Sequence, residues 1–110
     1  MPTSDKFDQL LSKLAQRTYE GKANWRPGSR DDTYVWSGSA ASVVLLTKDN
    51  DGLPPYWVRL VDADGRAIEE EIVEPGEDSF DLVTQLYVAA RSDALDITST
   101  IDQLLEDLGN

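Results

Sequence analysis

Cysteine and histidine are both missing from the 110 residues. Without thiolate or imidazole the chain cannot build a zinc finger, an iron–sulfur site or a thiol redox pair. Ser-His-Asp and Cys-His catalysis are excluded on the same ground. No glycine-rich phosphate loop and no GxSxG elbow occurs either. No catalytic residue, metal ligand or cofactor is therefore assigned, and the chain is expected not to be an enzyme.

Long apolar runs are missing too. No stretch approaches the ~18 residues of a membrane helix, and the opening MPTSDKFDQLLSKL does not read as a secretory signal. The absence of cysteine fits a reducing compartment. The expected location is cytoplasmic, with no membrane partner. There is no internal repeat, low-complexity tract or long linker, so residues 1–110 are expected to form one domain.

What is present suits a small folded protein. Hydrophobic residues make up 40% and charged residues 28%, too apolar a mixture for disorder. A chain of this size buries roughly two-thirds of its unfolded surface. The formal net charge is −11, and it is polarised. Residues 1–50 carry seven lysines and arginines against six acids, whereas residues 51–110 carry three arginines against fifteen acids. Such a field repels nucleic acid and anionic membrane and attracts basic partners. It also keeps a small protein soluble.

The pattern predicts an α+β fold, a four-stranded antiparallel meander sheet flanked by an N-terminal helix and a long C-terminal helix. The first helix spans about Asp5–Glu20, capped by Thr3 or Ser4. Phe7, Leu10, Leu11, Leu14 and Ala15 lie on one face, and Gly21 is the stop. Trp25 falls in a polar connection, and Pro27-Gly28 marks a turn. Strands follow at Thr33–Ser37, Ala41–Lys48, Tyr56–Asp62 and Ala67–Val73. ValValLeuLeu in the second is apolar on both faces, which predicts a central strand covered on each side. AspAsnAspGly at 49–52 and AspAlaAspGly at 62–65 are turns. Glu69-Glu70-Glu71 suits an edge strand, where charge discourages strand addition.

The final helix begins near Phe80, capped by Asp78 or Ser79. Apolar residues recur at Val83, Tyr87, Ala90, Ala94, Ile97, Ile101, Leu104 and Leu108, a period of 3.5. A continuous helix from Phe80 to Leu108 would be roughly 43 Å long, more than a four-stranded sheet can cover. The unbroken register favours continuity, with a break at Arg91-Ser92-Asp93 as the alternative. Small and aromatic seam residues come first and larger aliphatics later. Ile97, Ile101, Leu104, Leu105 and Leu108 are therefore the expected homodimer seam. The competing expectation is that the first helix covers this seam within one chain.

Several constellations imitate chemistry. Neither aspartate turn supplies an acid at the first calcium-loop position. Lys13, Arg17, Lys22, Trp25, Arg26 and Arg30 combine basic charge with an aromatic, as single-stranded nucleic-acid sites do. Asp31 and Asp32 follow at once, however. A meeting of this patch with the acidic half of the same or a second chain fits better. Trp25 either staples its loop to the core or stands out as an anchor, and the staple is favoured. Glu69, Glu70, Glu71, Glu74, Glu77 and Asp78 form a candidate acidic face for a basic partner. Adjacent strand residues point to opposite sides, so only Glu69 and Glu71 share one.

The segments FDQLLSKLAQRTYEGKANW, VVLLTKD and LVDADG together resemble small uncharacterised bacterial proteins. These have an amphipathic helix, a GK-x-x-W turn, a β-meander and a long C-terminal helix. The resemblance spans most of the chain and implies no activity and no site. The expected function is a non-catalytic protein-interaction module that self-associates through its C-terminal helix. The alternative is an acidic inhibitor or immunity-type protein that binds a basic toxin or nuclease.

Overall fold

A computed structural model of the chain describes residues 2–49 and 51–109. The first helix, α1 (Pro2–Tyr19), starts before the caps expected at Thr3 or Ser4. Its i, i+3, i+4 pattern buries Phe7, Leu11, Leu14, Ala15 and Thr18. Gly21 ends it at φ +74°. The Gly21 N–H donates to the Thr18 carbonyl, and the Lys22 N–H donates to the Arg17 carbonyl at 2.8 Å. This is the paired closure that a left-handed residue makes possible at a helix end.

Five strands follow, not four: β1 (Trp25–Pro27), β2 (Tyr34–Ser37), β3 (Ala41–Thr47), β4 (Tyr56–Asp62) and β5 (Ala67–Val73). They form one antiparallel sheet in the order β1-β2-β3-β4-β5. The extra strand is the segment around Trp25, which pairs with Trp36 opposite. Three residues ending in proline carry no alternation to read, and proline is tolerated there because β1 is an edge. The hairpin at 62–65 forms as expected. Gly65 adopts φ +86°, and the Asp62 carboxylate accepts the Asp64 and Arg66 N–H groups at 2.9 Å. Of the 49–52 turn, Asn50 lies outside the described residues.

One face of the sheet forms the core. Tyr34, Val43, Leu45, Tyr56, Val58 and Val73 pack with the buried residues of α1 and with Val83, Leu86, Tyr87 and Ala90 of α2 (Phe80–Ala94). Tyr87 sits at the centre of an aromatic group. Its ring centroid is 5.0 Å from that of Tyr56 and 5.4 Å from that of Tyr34. Ser79 occupies the N-cap of α2 but makes no side-chain cap bond.

β3 is central, as its sequence implies. Among the described residues, however, no helix lies over its second face. On that side Val44 stands between Val35 and Arg59, and Leu46 stands opposite Trp57. Leu46 is nevertheless buried. Large neighbours across the ladder shield an aliphatic side chain without another layer.

The long final helix does not run through. α2 stops at Ala94, and α3 spans Ile97–Asp107. Between them Asp96 takes the left-handed conformation, φ 53° and ψ 46°. Aspartate tolerates that region better than most residues. The break lies a few residues beyond Arg91-Ser92-Asp93. The radius of gyration, 14.9 Å, exceeds the ~13 Å of a compact domain of this length. The longest dimension is 55 Å against 32 and 25 Å.

Candidate functional site

Trp25 is a structural peg. The residue is 5% exposed, and its Nε1 donates to Thr18 Oγ1 at 2.9 Å. The Thr18 hydroxyl in turn donates to the Leu14 carbonyl at 2.7 Å. The Trp25 backbone N–H donates to the Asp93 carboxylate at 2.6 Å. Asp93 thus ties the end of α2 to β1 across 68 residues of sequence. The indole is unavailable to a nucleotide base, and the six-residue basic patch comes apart. Arg26 donates to the Ser37 hydroxyl, while Arg30 lines a separate hollow with Asp31 and Asp32.

Lys13, Arg17 and Lys22 stay together. They line a trough of about 270 Å³ together with Leu10, Leu14, Ala23 and Trp36. Leu10 and Trp36 are half-buried, packed against the core without being covered by it. The trough continues along α1 into a hollow bounded by Lys6, Gln9, Leu10 and Lys13. On the sheet side it meets Leu60, Ile68 and Glu69. Trp36 and Leu60 are in one row because both face Val43 across the ladder. The sequence carries a signal for this surface: Lys6, Leu10, Lys13 and Arg17 recur at i, i+4, i+7 and i+11, beside the buried stripe of α1.

α3 presents the opposite chemistry. Ile101, Leu104, Leu105 and Leu108 are 51, 55, 45 and 82% exposed, and Ile97 is half-buried. No residue of α3 is buried. At 100° per residue the five aliphatics share an arc of about 100°. Asp102 and Asp107 lie on either side of it, each about 60° beyond its edge, and Glu106 adjoins Asp102. α3 has no basic residue in its last turn. A cleft of about 440 Å³ at its root is lined by Thr18, Tyr19, Val88, Asp93, Asp96 and Thr98, among others.

The six carboxylates around β5 do not share one face. Glu69 and Glu71 point to the helix side and are half-buried. Glu70 points to the other side, where it pairs with Arg59. The Glu77 carboxylate accepts the Glu74 N–H at 2.6 Å, closing the turn before α2. Asp78 is exposed in that turn. Burial, then the charges of Asp8, Glu69 and Glu77, push the Glu71 carboxyl above its ordinary range. Among the described residues, one carboxylate oxygen each of Asp8 and Glu71 is buried without a hydrogen-bond partner. No group of three or more acids there could hold a metal ion.

Burial likewise raises the Tyr34 and Tyr87 hydroxyls. Tyr87 Oη donates to the Asp32 carbonyl at 2.5 Å, so it is a bonded core group.

No family model, no curated protein and no solved structure matches this chain. Among the described residues, no helix is long and apolar enough to cross a membrane.

Proposed function

We propose that this protein is a non-catalytic interaction module that self-associates through α3. One observation carries the reading: a helix with its aliphatic residues gathered on one side leaves that side in solvent. A helix hydrophobic on one face gains most of its stability by burying that face. A mixed surface helix would place Ile101, Leu104, Leu105 and Leu108 singly, where exposure has no meaning. Here they are contiguous, and contiguous apolar surface marks an interaction site.

The competing expectation, that α1 covers the seam within one chain, is answered by where α1 packs. Phe7, Leu11 and Leu14 are committed to the core with Val83, Leu86 and Ala90. They are not available to Ile101 and Leu104.

The test is solution mass by light scattering. We expect twice the 12.2 kDa of one chain, with the dimer persisting at high salt because apolar burial dominates. Ile101→Glu places a charge in the middle of the seam and should return the protein to monomer, with the far-UV spectrum of the body unchanged. A variant that stays dimeric would remove α3 from the interface.

A further inference from the structure

We infer that the surface receiving α3 is the basic-rimmed trough beside α1 on a second copy of the chain. The two partners exchange their α3 helices reciprocally. This rests on the self-association proposed above and names the surface that completes it.

Three observations converge. The first is charge. The apolar floor of the trough, Leu10 and Trp36, is bordered by Lys13, Arg17 and Lys22. The apolar arc of α3 is bordered by Asp102 on one side and Asp107 on the other. Opposed α3 helices would instead bring acid against acid, and like charges at an interface count against the pairing. Among the described residues, Lys6 and Lys13 form no ion pair, and Arg17 and Lys22 reach only Glu20, at 3.7 and 3.9 Å on the exposed surface. The long, exposed contacts of Arg17 and Lys22 with Glu20 are weak and can yield to an incoming helix.

The second is length. From Lys6 to Arg17 the stripe on α1 runs about 16 Å at 1.5 Å per residue. The 11 residues of α3 make a helix of about the same length. The third is area. A stable interface takes about 800 Å² from each partner. One side of a helix this short offers roughly 250 Å², from its length and a diameter near 10 Å. An α3–α3 pair falls well short. Exchange engages one helix face and one trough on each partner, roughly 500 Å² or twice what an α3–α3 pair buries, and a twofold axis closes the assembly at a dimer. The cleft at the root of α3 is lined by Thr18 and Tyr19 at the C-terminal end of α1, and Arg17 and Lys22 of the trough lie at that same end.

Charge exchange tests this directly. Lys13→Glu with Lys22→Glu reverses the trough, and Asp102→Lys with Asp107→Lys reverses the helix flanks. Each double variant faces like charge in its own dimer. Mixed together, the pair restores opposite charge at one of its two contacts by reversal and at the other by the native arrangement. At low salt we expect each variant alone to dimerise at least ten-fold more weakly than the parent, and the mixture to recover parental affinity. Sedimentation of the mixture, with one chain fluorescently labelled, reads the heterodimer. If Ile101→Glu is monomeric but both charge variants dimerise like the parent, the trough is wrong and α3 self-association stands. If the variants weaken alone without recovery on mixing, the trough is also wrong. A parent chain that is monomeric, or an Ile101→Glu variant that remains dimeric, removes both proposals.

Discussion

Glu71 shows how far one residue departs from what its neighbours in sequence suggest. Written as the middle of Glu69-Glu70-Glu71-Ile72, it looks like a solvated charge on an edge strand. In the fold it is half-buried on the helix side of the sheet, and after burial the charge of Asp8 on α1 acts on it most. Its carboxyl titrates above the ordinary 4.5, so the native state holds this proton more tightly than the unfolded chain. The consequence for stability has a fixed sign. Between the unfolded and the raised folded value the native state binds more protons, and stability falls as pH rises through that window. Above it the penalty is complete. Glu71→Gln should raise the midpoint of thermal unfolding at pH 7, and the difference from the parent should shrink as the pH is taken below 4.5. Trp25 makes the complementary point. The sequence favours a staple to the core over an exposed anchor, and the structure supplies the partners that hold it there, Asp93 and Thr18.

At the scale of elements, the informative case is the join between α2 and α3. The 3.5-residue apolar period crosses Asp96 without a shift, because one left-handed residue turns the chain without adding or removing any spacing. Periodicity records which residues share a side and is blind to a change of direction that preserves the count. The conformation at Asp96 is therefore the control point. Asp96→Gly keeps the left-handed turn at no steric cost. Asp96→Leu disfavours it by about 1–2 kcal/mol and should fuse the helices. Because the chain has no cysteine, spin labels can be placed singly at Val88 and Glu106. In a continuous helix these positions are about 27 Å apart along the axis. Asp96→Leu should approach that separation, while the parent and Asp96→Gly should stay clearly below it. The fifth strand was invisible for a related reason. β1 is held by pairing with β2 and by the Asp93 contact, neither of which leaves a mark in a three-residue sequence.

At the scale of the whole molecule, the protein is a packed body with an appended helix. Among the described residues, every buried side chain lies within residues 6–94, while α3 contributes none. A chain ending at Leu95 should therefore fold. In the monomeric state its unfolding free energy should be within about 1 kcal/mol of the full-length monomer, because exposed positions contribute little. The difference should appear with concentration. The full chain should gain thermal stability as it is concentrated, since association favours the folded form, and the shortened chain should show no such dependence in differential scanning fluorimetry.

The sequence by itself determined the class of fold, the antiparallel meander, the edge position of the acidic strand and the inward stripe of α1. Each follows from local periodicity and turn chemistry, which act over a few residues. It also determined that the acidic excess is concentrated in the second half of the chain. The tertiary structure alone decided which charges share a surface. It gave Trp25 its partners, split the carboxylates of β5 between two faces, and left Lys13, Arg17 and Lys22 around one trough. It also freed α3 by a single backbone conformation at Asp96. These outcomes depend on contacts between residues far apart in the chain, whose free energy is gained only when the whole core closes.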